Sequence, residues 1–594
     1  MNTASVPQQP TPAAAPSAPP PTPPHASEAT RLLCAGVYLD PDYRDRVIDE
    51  LHLNEQRFVA PSLGLDAARV LAHALRARRR ELQWAAAVLG LWLVGAALTQ
   101  GLLALYVFPS LYLAIGAWIR GRSPQVPVYR VVVAFFFRWW GRVLLAVLAL
   151  ITVIAAFAGG SGGSSSGSYG GSYGSYGSYD SYDSYGTSDS PDLRDVVLPG
   201  SGGGAHFRPW QAWAALVVLV LIAVCLAAQR GQFARVMAGE LSPQRFPDAA
   251  GDPAEQGGNQ RLQWLKHRIR TEQHAPLVMY HESRPFCGAG VPQQDWVLAV
   301  ELKPDALKKR QRPISNRLVL ESIRPLVERL RLPAEYAGAG VRDRLRWLEI
   351  DECVFLPAEG LLRREDAPYQ PEAFEAHRAH AVEEGAEKRR HFLRVRVGGW
   401  EEELVVTVFV RVHTQGRMLM LEIAPHVLPP VRQFFKEADR AAHRYRHNSV
   451  LGKAFWAVTR VPVSPAAALI VLGRAVAYGG RLLTGGYTHA LPDGPALSVR
   501  ELGSADAGSQ FQEMDVSRYL KSIQDRVASG VRTALAEAGY QTGEFVQQIN
   551  NISNGGVHIG SVAGSTFAVG DNSSASSTNG GSAPRKGADA HGDE

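Results

Sequence analysis

Cysteine is scarce in this chain, with Cys34, Cys225, Cys287 and Cys353 the only four among 594 residues, and no two stand at metal-ligand spacing. Cys225 lies in an apolar run and the others in segments read as cytoplasmic, where disulfides are rare, so no disulfide framework is expected. No basic region followed by an apolar stretch opens the chain, so a signal peptide is not expected. The net charge is only +6, and no nucleic-acid-binding motif accompanies it, so no nucleic-acid partner is expected. Acidic residues are missing from every long apolar run, which leaves an ion or proton pathway without charged members.

The apolar runs themselves dominate. Residues 84–119 (WAAAVLGLWLVGAALTQGLLALYVFPSLYLAIGAWI), 143–157 and 210–228 carry no charge. As one helix, residues 84–119 would be ~54 Å long, against a hydrocarbon core of ~30 Å. Thr99-Gln100-Gly101 divides them, so a helical hairpin with spans at 84–100 and 102–119 is expected, the second arm kinked at Pro109. The basic residues Arg76, Arg78, Arg79 and Arg80 precede it, and Arg120, Arg122, Arg130, Arg138 and Arg142 follow it. Such residues mark the cytoplasmic side. Residues 120–138 then form a cytoplasmic basic loop, with 128–138 at the membrane surface. The third span covers 139–159 and the fourth 209–229. Residues 160–208 between them, with Tyr169, Tyr173, Tyr176, Tyr179, Tyr182 and Tyr185 among Gly, Ser and Asp, read as a disordered external loop. The expected fold class is a four-span α-helical bundle with a cytoplasmic α+β domain built on an antiparallel sheet.

Residues 1–28 read as a disordered Pro-rich tail and 29–82 as a cytoplasmic helical module, with Asp40 as a cap and Pro41 in the first turn. Residues 240–260 read as a linker and 261–448 as the α+β domain. Its strand candidates are 296–302, 392–397, 404–412 and 418–423, and its helix candidates 315–330 and 431–444. Residues 450–487 are apolar but broken by Arg460, Arg474 and Arg481, which fits an interfacial segment. Residues 515–538 form an amphipathic helix on the stripe Val516, Leu520, Ile523, Val527, Val531 and Leu535, suited either to its own domain or to self-association, with Gly530 arguing against a strong zipper. Residues 547–576 align Ile549, Ile559 and Val569 in a decapeptide period, and 577–594 read as disordered.

Candidate site residues are few. His281–Gly290 reads HESRPFCGAG. Its Gly288-Ala289-Gly290 lacks the phosphate-loop pattern and leads toward a strand, so no cofactor site is expected. His281 and Cys287 are a possible base and nucleophile, with no third group in view. His377 and His380, near Glu383 and Glu384, stand three apart, whereas the usual zinc helix needs four and an embedded glutamate, so no metal site is expected.

The stretches HESRPFCGAG…DWVLAVEL and LVVTVFVRV…VLPPV, with the Arg78–Arg80 entry into paired spans, resemble uncharacterised multi-pass membrane proteins of actinobacteria over most of residues 30–450. The resemblance implies a bacterial plasma membrane and no particular chemistry. The resulting expectation is a non-enzymatic membrane protein, a scaffold or sensor, with both termini cytoplasmic. Its partners would be the bilayer, further copies through the C-terminal region, and a cytoplasmic protein or small molecule. A transporter using Gln100 and an enzyme using His281 and Cys287 are the alternatives.

Overall fold

Polar helix-start signals organise the first hundred residues. Ser27 caps α1 (Glu28–Leu39). Asp40 caps α2 (Pro41–Ile48) by accepting the Asp42 N–H, with Pro41 in the first turn where its missing donor costs nothing. Asp66 caps α3, which runs unbroken over Ala67–Leu98. The amphipathic stretch and the first apolar run are therefore one helix, since the Arg, Glu, Leu and Gln residues between them all favour helix. This computed structural model describes residues 22–121, 127–157, 209–305, 311–332, 345, 347–384, 386–401, 403–485, 490–543 and 545. Residues 1–21, the Tyr-rich loop 160–208, the decapeptide region 547–576 and the 577–594 tail lie outside them.

A turn at Thr99–Gly101, with Gln100 and Gly101 at φ of 49° and 95°, leads through a 3₁₀ turn into α4 (Val107–Arg120). Pro109 sits in the first turn of α4, just after the 3₁₀ turn gives way to the α-helix. α5 (Val128–Phe157) is a single helix, and 128–138, expected as a surface segment, forms its first turns because no proline separates the two parts. α4 and α5 pack through small residues: a Cβ on Gly116 would meet the Arg138 side chain, and one on Gly141 the Leu113 side chain, each at 2.9 Å. α6 (Pro209–Ala238) completes this group.

α7 (Gln260–His274) leads into the sheet: β1 (Leu277–Tyr280), β2 (Val291–Pro292), β3 (Trp296–Glu301), α8 (Asn316–Glu328), β4 (Trp347–Pro357), α9 (Pro371–Glu384), β5 (Arg390–Gly399), β6 (Leu404–Gln415) and β7 (Met418–Leu428). The order is β1-β4-β5-β6-β7-β2, with β3 also on β7. The expected antiparallel sheet is in fact mixed, because β1 pairs parallel to β4 while β4 through β7 pair antiparallel. Neither β1 nor β4 stood among the strand candidates. β1 is four residues long, and β4 carries Glu349, Asp351 and Glu352 inside the strand. Those charges are tolerated because Arg394 and Arg396, across on β5, pair with Asp351, and Arg396 also reaches Glu349 at 3.1 Å.

Alternation sorts the two faces. Leu348, Ile350, Leu393, Val395, Val406, Val408, Leu421 and Ile423 face α8 and the long C-terminal helix. Cys353, Phe355, Phe392 and Phe409 face the other way. α10 (Ala438–His447) then packs with α1, α3 and the end of α6 in a second core, through Leu33, Leu71, Ala234, Met237 and Ala442.

Among the described residues five segments are long and apolar enough to cross a membrane: Ala67–Leu98, Leu103–Arg120, Val128–Phe157, Pro209–Ala238 and Val450–Thr484. That is one more than the four expected, and the fifth is the segment assigned to the interface. It consists of two helices, α11 (Val450–Val458) and α12 (Ser464–Thr484), joined by a 3₁₀ turn carrying Pro462. Its arginines are spaced widely enough that an 18-residue window still averages a hydropathy of 1.6.

Residues 490–505 lie across the body. Fully buried Arg500 donates to Ser504 Oγ, to the Pro429 carbonyl at 3.0 Å and to the Glu403 carbonyl. α13 (Gln510–Ala538) then buries Ile523, Val527, Val531 and Leu535 against α8 and the sheet. Its stripe is occupied within the chain, and Gly530 is what lets it dock: a Cβ there would meet Ile323 Cα at 2.7 Å. Gly530→Ala is expected to destabilise the detergent-solubilised protein by about 1–3 kcal/mol through overpacking. Gly473→Ala, in α12 with open space around its Cα, should be neutral or mildly stabilising in the same denaturation assay.

On the α8 face, Glu352 accepts from His391 at 3.1 Å and from Arg378 at 2.9 Å. The His391 bond above all, helped by Arg378 and opposed by burial, holds its carboxyl down at about 2 from an ordinary 4.5. A depressed folded-state value contributes stability that is complete above the unfolded value and is lost as pH falls toward the folded one. Thermal unfolding of the wild type should therefore drop more steeply between about pH 5 and pH 3 than that of Glu352→Gln.

Candidate functional site

The HESRPFCGAG stretch becomes the cover of the second sheet face. Phe286 inserts its ring among Phe355, Phe392, Phe409 and His426, with centroid distances of 5.4, 5.6, 4.7 and 4.7 Å. These are tilted and edge contacts of the kind aromatic rings prefer. Burial pushes the His426 imidazole down, toward the neutral form that donates from Nδ1 to the Ala424 carbonyl.

Gly288 and Gly290, at φ of 98° and 100°, turn their N–H groups toward one point. Glu501 Oε1 occupies that point, accepting from them at 2.7 and 3.0 Å, while its Oε2 accepts from Arg284 at 3.1 Å. The loop is thus an anion-binding concavity, which the sequence reading did not expect, and its anion is a carboxylate of the same chain. The separation of 211 positions from Gly290 to Glu501 explains why sequence spacing gave no sign of the pairing.

His281 and Cys287 take no part in a common hydrogen bond. His281 Nδ1 accepts from the Ser283 hydroxyl at 2.7 Å, in a local turn, and its Nε2 lies 3.8 Å from Asp493. Cys287 is buried, and desolvation, assisted by Glu501, pushes its thiol up to about 12, the reverse of what a nucleophile needs. The cavity beside it, lined by Ser62, Cys287, Arg394, Arg396 and Thr407, measures about 20 Å³, room for a single water. His380 pairs with Glu384 at 2.8 Å on an exposed helix face, and His377 faces Arg389. Among the described residues no three His, Cys, Asp or Glu side chains converge as a metal site would require. Gln100 Oε1 accepts from Gln211 at 2.9 Å, at the turn that ends α3 rather than midway along a helix.

A roomier cleft, of about 580 Å³, lies elsewhere, lined by Thr22, Trp347, Trp400, Glu401, Arg518 and Tyr519. Trp400 and Glu401 form the β5–β6 turn at positive φ, 53° and 60°, and the Trp400 indole donates to Asp515 at the start of α13. Sequence reasoning placed a turn near Gly398-Gly399 but had no means of bringing α13 beside it.

Residues 240–260 do more than connect. Asp252 is buried and accepts from Arg69 Nη2 at 2.8 Å and His73 Nε2 at 2.9 Å. Arg69 in turn lies 3.7 Å over the Phe246 ring. Burial opposes ionisation of Asp252, yet the hydrogen bonds, His73 first, hold its carboxyl well below the usual range. The segment is a buried polar clamp on α3.

Residues 295–565 match the model of the AbeC-like domain, a family whose activity is uncharacterised. The match takes in β3 through α13, including 450–484, and leaves β1 and β2 outside it. No curated protein and no solved structure matches the chain.

Alkylation followed by mass spectrometry should find Cys287 unmodified in the native protein at about pH 8 and fully modified after unfolding. Fast native labelling would show an ionised, accessible thiol and return the enzyme reading to view.

Proposed function

We propose that this is a non-enzymatic multi-pass protein of a bacterial plasma membrane, with four crossings and one cytoplasmic body that serves as a scaffold or sensor. The observation that carries the reading is parity. α1 and α2, ahead of the apolar helices, pack in one core with α10 and residue Val499, which follow them. A chain that leaves a body and returns to the same body crosses the membrane an even number of times, and α3 through α6 supply four.

The same reasoning governs 450–484. The sheet precedes it and α13 follows it, yet both share one core. α11, with nine residues, is ~13 Å long and cannot cross ~30 Å. The fifth apolar segment therefore enters and leaves through one face. Its depth follows from α3: Arg78 donates to the Arg474 carbonyl and lies 3.6 Å over Tyr478, while the Trp92 indole donates to Ser464 Oγ at 3.0 Å. From 78 to 92 is 14 residues, and from 464 to 478 also 14, so the helices run antiparallel in step for ~21 Å. The basic flanks of α3, α4 and α5 favour the cytoplasm for this side.

For the soluble body, the filled glycine nest, the neutral Cys287 thiol and the one-water cavity favour a binding role over catalysis. The cleft at Trp347, Trp400 and Tyr519 is the place we assign to a partner or ligand. Self-association belongs to residues 547–576, since the α13 stripe is occupied.

Single cysteines test the topology in a cysteine-depleted background. Ser181→Cys in the Tyr-rich loop should react with a membrane-impermeant maleimide on intact cells. Glu372→Cys, before the fifth segment, and Ala536→Cys, after it, should react only after permeabilisation. Opposite labelling of residues 372 and 536 would refute the parity argument.

A further inference from the structure

α11 presents two unlike faces, one packed on α6 through Trp456 and Ala457 and the other exposed. Leu451, Phe455 and Val458, at helical spacing, are 82%, 74% and 59% exposed. The opposite side carries Lys453, Trp456 and Arg460 toward α6. There Trp456 lies between two guanidinium groups, with Arg460 Cζ 5.0 Å and Arg230 Cζ 5.9 Å from its ring. Tyr445 meets Trp456 edge-on at 5.9 Å, and Lys453 Nζ lies 5.7 Å over Tyr445. Arg444 and Arg460 are both close enough to Arg230 to repel it.

Three cations thus gather around one aromatic pair, with Arg444 near Arg230 as a fourth, and Lys453 also donates to the Arg446 carbonyl at 3.2 Å. Among the described residues none of the four has a carboxylate within 4.0 Å. On the next helix, by contrast, Arg474 pairs with Asp42 at 2.8 Å and Arg481 with Asp49 at 3.1 Å. Like charges held together without a counter-charge repel, so the cluster is completed by an anion from outside. The Tyr445 hydroxyl, donating to the Ala227 carbonyl at 2.7 Å, fixes the cluster at the end of the apolar part of α6.

From this we infer that α11 and the end of α6 form a binding site for an anionic phospholipid of the cytoplasmic leaflet. Arg230, Arg444, Lys453 and Arg460 hold its phosphate, and Leu451, Phe455 and Val458 lie among its acyl chains. An amphipathic helix in the interface plane gains from both terms, apolar burial and attraction to anionic headgroups. The inference rests on the membrane reading given above. It commits to lipid because a soluble phosphate would leave the apolar face uncovered.

The test uses the purified full-length protein in zwitterionic detergent micelles, titrated with phosphatidylglycerol and, separately, with phosphatidylcholine or inorganic phosphate, following thermal stability. Phosphatidylglycerol should raise the melting temperature saturably, and the other two should not. Arg460→Gln and Arg444→Gln should each weaken the midpoint about fivefold, with Arg460→Lys keeping most of the binding. Equal responses to phosphatidylglycerol and phosphatidylcholine would overturn the inference, as would an unchanged midpoint in the double variant. Stabilisation by inorganic phosphate alone would overturn it in favour of a soluble anion. An unchanged melting temperature of the variants without lipid confirms that they fold. The micelle assay is indifferent to sidedness, so its outcome is separate from that of the cysteine labelling.

Discussion

The contact between Gly530 on α13 and Ile323 on α8 closes the structure. A helix from beyond the fifth apolar segment lies against a helix from before it, so close that no side chain fits between. That approach buries Ile523, Val527, Val531 and Leu535 with the inner face of the sheet. Burying a large aliphatic side chain is worth about 1.5–3 kcal/mol, so undoing this docking is costly. Because it holds, both ends of the 450–484 segment return to one body, so in the proposed membrane arrangement the segment ends on the side where it began. Length and composition say what a helix can do in a membrane; the packing of its flanks says what it does.

Buried polar groups hold the rest of the body in register. Asp252 ties the 240–260 segment to Arg69 and His73 of α3, and Glu272 of α7 takes Arg364 from beyond β4. Glu501 fills the glycine nest of the 281–290 loop, and Arg500 reaches carbonyls of the β6 entry and the β7 exit. Each joins segments far apart in sequence, and each would leave an unpaired buried charge if its partner moved away, a penalty of several kcal/mol. The body is therefore one unit, and the long apolar helices are anchored in it.

How far the sequence disclosed this depended on the range of the interaction. The charge-free runs, the turn at Gln100-Gly101, the capping of α2 by Asp40 and the strands β3, β5, β6 and β7 were all legible, because each rests on local pattern. β1 escaped because four residues carry no period, and β4 because its acids read as surface until Arg394 and Arg396 come alongside. The fifth apolar helix escaped because three arginines masked a hydropathy that is high over a suitable window. The meaning of HESRPFCGAG was hidden: its glycines read as a turn leading to a strand, and nothing local identified Glu501 as the group that their N–H donors would hold. The cleft at Trp347 and Trp400 and the cation cluster at Trp456 exist only in three dimensions.

The central claim is that residues on either side of 450–484 form one body on one face of the membrane. A site-specific protease sequence placed at residues 486–489, between α12 and the strap that leads to α13, tests it in sealed vesicles of both orientations. The account predicts cleavage in inside-out vesicles only, with the 490–594 fragment remaining bound to the membrane until denaturant releases α13 from the sheet. Cleavage in right-side-out vesicles would contradict it, as would immediate loss of the fragment from inside-out ones.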